Sequence, residues 1–179
     1  MAKLENGYVQ VYTGNGKGKT TAAIGQGVRS AGNELKVYMV QFLKTFDTGE
    51  LKSIKKLEPY FQIFRFETPR GFFWTLNDKE KEELKIEIQE AYKFCYEALE
   101  KNKCDVLIMD EIMGALSNKL VSVDQILELI RIKPKSVELI LTGRNVPEEI
   151  VKKSDLVTEM KEIKHYFEKG VAAREGIEY

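Results

Sequence analysis

The sequence has few of the residues from which metal clusters, disulfide frameworks and membrane anchors are built. Two cysteines and one histidine occur in 179 residues. Cys95 and Cys104 form no CxxC pair and, with His165, no zinc-like spacing; both thiols read as packing groups of a reduced, cytoplasmic protein. No uninterrupted apolar run approaches the ~18 residues of a membrane-spanning helix, and the opening MAKLENGYVQVY lacks the apolar segment of a signal peptide. Neither sign of charge is in excess: Lys+Arg and Asp+Glu both number 28. No global field therefore recruits nucleic acid or an anionic membrane, and a bound anion must be held by a local site. Repeats, low-complexity tracts and Pro- or Ser-rich linkers are missing too, so residues 1–179 are expected to form one domain with a substantial core.

What is present is an alternation of strand and helix patterns. Strands are expected at 8–13 (YVQVYT), 36–43 (KVYMVQFL), 61–67 (FQIFRFE), 104–111 (CDVLIMDE), 137–143 (VELILTG) and 155–160 (DLVTEM). Helices are expected at 19–32, closing on Gly32 as a C-cap, and at 48–57, 77–102, 122–131 and 147–154. The long one carries Leu84, Ile88, Ala91, Cys95 and Ala98 on one face. Such an order predicts an α/β fold, a mostly parallel sheet with helices on both faces and its ligands at the carboxyl ends of the strands.

At that end of the first strand stands TGNGKGKT, residues 13–20. A strand before it and a helix after it are the setting of a phosphate-binding loop, so the fold reads as P-loop NTPase-like. Gly14, Gly16 and Gly18 allow the backbone to bend so that successive N–H groups face phosphate oxygens. Asn15, Lys17, Lys19, Thr20 and Thr21 complete the nucleotide-binding candidates, Lys19 supplying a full charge and Thr20 a hydroxyl for Mg²⁺. Thr13 stands where the usual pattern has its first glycine, so the opening of the loop should differ from that of common NTPases. CDVLIMDE ends in Asp110 and Glu111, carboxylates suited to Mg²⁺ beside the loop. If both stay in the strand they point to opposite sides, which leaves one close metal ligand and does not say which.

Missing motifs narrow the chemistry. Val121 stands where a guanine-reading NKxD would need Asp, no LSGGQ occurs, and there is no Arg-rich lid of the small nucleotide kinases. A second unusual stretch, TPRGFFWTLNDKE (68–80), sets Phe72, Phe73 and Trp74 in a loop before the long helix. Exposed aromatics there fit a flat apolar ligand or a docking partner; buried, they would cap the core. From these residues alone P-loop NTPase is a fold-level label; a small P-loop kinase or NTPase and a nucleotide-dependent protein-binding module both stand as readings.

GNGKGKTTAAIG, VQFLK with the following TGE, GFFWTLNDKE, the DE strand, LTGRNVPEEI with SDLVTEM, and GVAAREGIEY succeed one another along nearly the whole chain. Together they resemble the P-loop type of ATP:corrinoid (cob(I)alamin) adenosyltransferase. The resemblance implies transfer of the 5′-deoxyadenosyl group of ATP to Co(I) of a reduced corrinoid, with the intact triphosphate as leaving group. It implies a triphosphate held reversed relative to ordinary P-loop enzymes, with Lys19, Phe72 and Trp74 as the catalytic residues. Phe72 and Trp74 would press on the lower corrin face, favouring loss of the lower axial ligand, and Phe73 would face the core. Also implied are Mg²⁺, an electron-donating flavoprotein and a homodimer. This chain departs from the family at Thr45, where Gly is common, and begins a few residues before YVQVYT, so the N-terminal cover of the corrinoid site is expected to be absent or supplied otherwise. Arg144 and Asn145 read either as ligand contacts or as a capping turn before Pro147. His165 reads as a surface or tail residue, and Arg174 with the C-terminal tail reads as packing ahead of the alternative of reaching the nucleotide.

Overall fold

A computed structural model describes residues 4–179. Six parallel strands form one sheet in the order β3-β2-β4-β5-β1-β6. They are β1 Val9–Thr13, β2 Val37–Gln41, β3 Phe61–Phe64, β4 Val106–Asp110, β5 Glu138–Thr142 and β6 Leu156–Glu159. The helices are α1 Lys19–Ala31, α2 Gly49–Ile54, α3 Asp78–Glu100, α4 Ile112–Ser117, α5 Val123–Ile132 and α6 Glu148–Val151. The expected α/β, P-loop NTPase-like architecture is the one observed. Side chains on a strand alternate between faces, and the apolar runs feed two cores accordingly. Tyr38, Val40, Leu107, Met109, Leu139 and Leu141 pack beneath α3, α4, α5 and α6. Val37, Met39, Val106, Ile108 and Ile140 pack on the other face with Ala23 of α1 and Ile54 of α2. Each such fully buried aliphatic contributes about 1.5–3 kcal/mol of transfer free energy, and the central strands β2, β4 and β5 are buried throughout.

Several local expectations are refined. The sequence N-D-K-E forms a capping box at the start of α3: Asn77 Oδ1 accepts the Glu80 N–H at 3.0 Å, and Glu80 Oε2 accepts the Asn77 N–H at 2.8 Å. This anchors the aromatic stretch, whose Phe73–Thr75 form a 3-10 turn just upstream. Gly32 ends α1 in the right-handed region at φ −62°; the left-handed residue is Glu34 two places later, at φ 60°. Helix α4 was hidden behind Asp110-Glu111, because Glu111 leaves the strand at φ 62° and caps a new helix instead of extending β4. The run FQIFRFE is strand only to Phe64; Arg65 and Glu67 reach past the sheet edge toward the carboxyl ends of the strands.

Candidate active site

The carboxyl ends of β1, β2, β4 and β5 meet around Asp110. Its carboxylate is fully buried and is the hub of a polar cluster. On Oδ1 it accepts the hydroxyls of Thr20 at 2.8 Å and Thr142 at 2.7 Å. On Oδ2 it accepts Lys44 Nζ at 2.6 Å and, more loosely, Gln41 Nε2 at 3.4 Å. Thr142 Oγ1 in turn accepts the Glu111 N–H at 2.9 Å, which fixes the backbone where β4 gives way to α4. Among the described residues no buried side-chain nitrogen or oxygen lacks a partner. A buried carboxylate is tolerable only under such full compensation. Asp110 and Glu111 therefore divide their roles: Asp110 lies beneath the loop against Thr20, while Glu111 lines the cavity above it. Burial, with Asp110 as neighbour, pushes the Glu111 carboxyl above its ordinary value.

The glycine loop is bent at two points. Gly14 at φ 101° and Gly18 at φ 118° occupy conformations costly for any residue with a β-carbon. Thr13 ends β1 in register with Glu159, so the turn expected to be awkward at Thr13 is made one residue later, at Gly14. The first half of the loop packs on the end of β6: Gly16 N–H donates to the Met160 carbonyl at 2.7 Å, and Asn15 Oδ1 accepts the Glu162 N–H at 3.1 Å. The Gly16 N–H is therefore already paired with the protein and does not face the cavity. Lys17, Gly18, Lys19, Thr20 and Thr21 line the cavity; Gly14, Asn15 and Gly16 brace it from outside. Lys19 is buried and donates to the Gly16 carbonyl at 2.7 Å. Burial, and next the positive charge of Arg144, pull its ammonium below the ordinary lysine value. Lys17 is engaged elsewhere: Nζ donates to Glu178 Oε1 at 2.9 Å and to the Ile177 carbonyl at 3.0 Å, so the C-terminal tail lies against the loop. Glu178 also contacts Tyr166 and Arg174, and these donors hold its carboxyl well below the usual range while it holds Lys17 up. Arg174 thus packs within the tail, as expected, while Gly176–Tyr179 line the cavity.

The cavity is about 850 Å³ and runs from the loop to the aromatic stretch, within the size range of small-molecule sites. Phe72 and Trp74 are 59% and 76% exposed and stack on one another, ring centroids 4.7 Å apart and planes 2° from parallel. Phe73 turns inward onto the core, with Lys81 Nζ 5.8 Å from its ring centroid. The aromatic turn is tied down by Arg70, which pairs with Glu87 at 2.9 Å and donates to the Glu80 carbonyl at 3.2 Å. Arg144 lines the cavity. Asn145 takes a left-handed turn at φ 57° before Pro147, which caps α6, so the two neighbours have separate roles. His165 faces its own tail: Nδ1 accepts the Phe167 N–H at 3.0 Å.

Comparison with known proteins bears on the whole chain. The family described as ATP:corrinoid adenosyltransferase BtuR/CobO/CobP matches residues 5–179. The chain belongs to this family. Corrinoid adenosyltransferase from Escherichia coli (strain K12) is 31% identical over 180 residues, covering 100% of this chain and 89% of that protein. The corrinoid adenosyltransferase of Pseudomonas aeruginosa is 32% identical over 185 residues, with 100% and 87% covered. Among solved structures, the flagellar accessory protein FlaH from Methanocaldococcus jannaschii aligns with a TM-score of 0.55 at 17% identity, over 87% of this chain and 72% of that one. At that identity the likeness is one of fold alone.

The motif reading gave no role to five residues around this cavity: Gln41 and Lys44, which lie in the quoted VQFLK segment, and Arg65, Glu67 and Thr142. Gln41 and Thr142 carry a faint signal, since each is a polar residue closing an otherwise apolar strand run. Arg65 and Glu67 carry none, because their targets lie on β2 and in the loop that follows it. Arg65 donates to Gln41 Oε1 at 2.7 Å, to the Phe46 carbonyl at 2.6 Å and to Thr48 Oγ1 at 3.0 Å. Glu67 Oε1 accepts the Leu43 N–H at 2.7 Å, and desolvation raises its carboxyl to a pKa of about 7.

Proposed function

We propose that this chain, acting as a single domain over residues 1–179, transfers the 5′-deoxyadenosyl group of ATP to Co(I) of a reduced corrinoid. The carrying observation is that one cavity joins the Lys17–Thr21 stretch to the exposed Phe72–Trp74 pair. A kinase needs the first and has no use for the second. The electron pair of Co(I) attacks the ribose 5′-carbon; a Co–C bond forms, the C5′–O bond breaks, cobalt becomes Co(III) and triphosphate departs. Co(I) carries no proton to remove, so no general base is required. The protein's work is positioning and stabilisation of charge on the leaving group, for which Lys19 and the N-terminus of α1 are suited. Lys17 reaches that role by leaving Glu178.

The donor set at the loop fits Mg²⁺. Thr20 and Asp110 present a hydroxyl and a carboxylate 2.8 Å apart, and Glu111 lines the cavity nearby. Among the described residues no group of three or more His, Cys, Asp or Glu could enclose a metal. That matches a cation that takes most of its oxygens from phosphate and water. When bound, Mg²⁺ would supply charge neutralisation to the triphosphate. Phe72 and Trp74 would form an apolar wall under the corrin, with no donor atom to coordinate cobalt from below, which favours the four-coordinate form and eases reduction of Co(II). A homodimer, an electron-donating flavoprotein and a cytoplasmic location complete the proposal; among the described residues no helix is long and apolar enough to cross a membrane.

The test is a product assay with Mg-ATP and cobalamin under strong reductant in the dark. Light-sensitive adenosylcobalamin with intact triphosphate, identified by ³¹P NMR, is the expected result. ADP and phosphate with unchanged corrinoid would show ordinary phosphoryl chemistry instead.

A further inference from the structure

Lys44 closes the VQFLK segment, to which the motif arguments gave no role. Its Nζ lies 2.6 Å from Asp110 Oδ2 and 3.2 Å from Thr20 Oγ1. One ammonium therefore spans the hydroxyl and the carboxylate to which a divalent cation is assigned above. Ammonium and divalent cation want the same hard oxygen donors, so the two compete for them. The lysine is delivered by an over-determined turn. Leu43, just before it, is left-handed at φ 56°, a costly conformation for a residue with a β-carbon. That conformation is held from both sides: Phe42 N–H donates to the Asp110 carbonyl at 2.9 Å, and Leu43 N–H to the half-buried Glu67 carboxyl at 2.7 Å. Whereas the Asp110 side chain has no exposure, that of Lys44 keeps 25% and lines the cavity. The ammonium thus has a path outward that the carboxylate lacks.

We propose that Lys44 is a resident counter-ion of the Thr20–Asp110 pair and a positioning residue for the divalent cation. A divalent cation is admitted only as the ammonium gives way into the cavity, on the side where the triphosphate is bound. Glu67 sets the resting position through the turn at Leu43. Divalent cation and nucleotide then bind as a coupled pair, because the phosphates offer the displaced ammonium a new partner. This rests on the assignment of Thr20 and Asp110 to the cation made above.

The probe is Mn²⁺, titrated by EPR into the full chain without nucleotide. Lys44→Met leaves Asp110 without its cation and is expected to bind Mn²⁺ at least ~10-fold more tightly than the unsubstituted protein. Lys44→Arg, which keeps the charge, is expected to stay as weak as the unsubstituted protein. A merely structural lysine would not raise metal affinity when removed, so equal or weaker binding by folded Lys44→Met overturns the inference while leaving adenosyl transfer untouched. Absence of Mn²⁺ binding in every protein, even with ATP, would overturn the metal assignment and the inference together. Should Lys44→Met fail to fold, the unsubstituted protein labelled with ¹⁵N-lysine gives the same answer. The Lys44 ammonium resonance, assigned by its loss in Lys44→Arg, is expected to change on addition of Mg-ATP; an unchanged signal would overturn the inference.

Discussion

At the floor of the cavity the charged groups are buried and compensated; at its lip the large apolar side chains stand mostly in solvent. Asp110 collects four donors from two strands, one helix and one loop, and its carboxylate has no exposure to water. Phe72 and Trp74 touch the fold through one pinned turn and cover chiefly each other. Floor geometry is therefore set by folding itself, through the high cost of an uncompensated buried charge. The lip is held in shape, but its apolar surface is left for something else to bury. Substitutions in the two regions should consequently fail in different ways.

The largest effect on the fold is expected from Asp110→Ala, which leaves the Lys44 ammonium and two hydroxyls facing a void. A loss of about 3–5 kcal/mol in urea-denaturation stability is expected; a loss under ~1 kcal/mol would mean that the floor is not the cooperative network described. Lys19→Ala should leave the fold standing and weaken ATP binding roughly 100-fold, or nearly 3 kcal/mol, by calorimetry. Unaltered ATP affinity would remove Lys19 from the site.

Glu67 lies between the two regions and titrates. Its carboxyl sits at about 7 when folded against 4.5 when free. Over that interval the unfolded chain releases its proton first, so rising pH favours unfolding. The Glu67 contribution is complete below about pH 4.5 and is lost as pH rises through 7. Glu67→Gln should flatten that part of the stability profile, gaining no more than about 3 kcal/mol at pH 8 relative to the parent. Parallel profiles for the two proteins would contradict it. Trp74→Ala should be the mildest for the fold, under ~1 kcal/mol, with ATP affinity kept and turnover from Co(II) lost under mild reductant. Normal turnover would deny the lip its corrin-facing role.

Local chemistry was readable wherever its cause was local. The strand-glycine-helix order marked the loop, the amphipathic spacing of Leu84, Ile88, Ala91, Cys95 and Ala98 marked α3, and the apolar run before Asp110 marked β4. Phe73 inward with Phe72 and Trp74 outward matches what the family resemblance implied, whereas the residues alone left exposure and core-capping both open. The half of the loop that braces on Met160 was not readable, since that carbonyl lies far along the chain. Nor was the departure of Glu111 from the strand, which depends on the hydroxyl of Thr142 from the neighbouring β5.

The sequence by itself therefore determined the α/β alternation, the phosphate loop, the aromatic stretch and the family, all carried by residues near one another in the chain or by their order. Tertiary structure alone decided that Asp110 lies beneath the loop and Glu111 above it, that Lys17 is held by the C-terminal tail, and that Lys44 and Glu67 belong to the site. The physical reason is the register of the parallel sheet. It brings Gln41 beside Asp110, and β5 alongside sets Thr142 against the same carboxylate. Burial then makes every resulting contact obligatory.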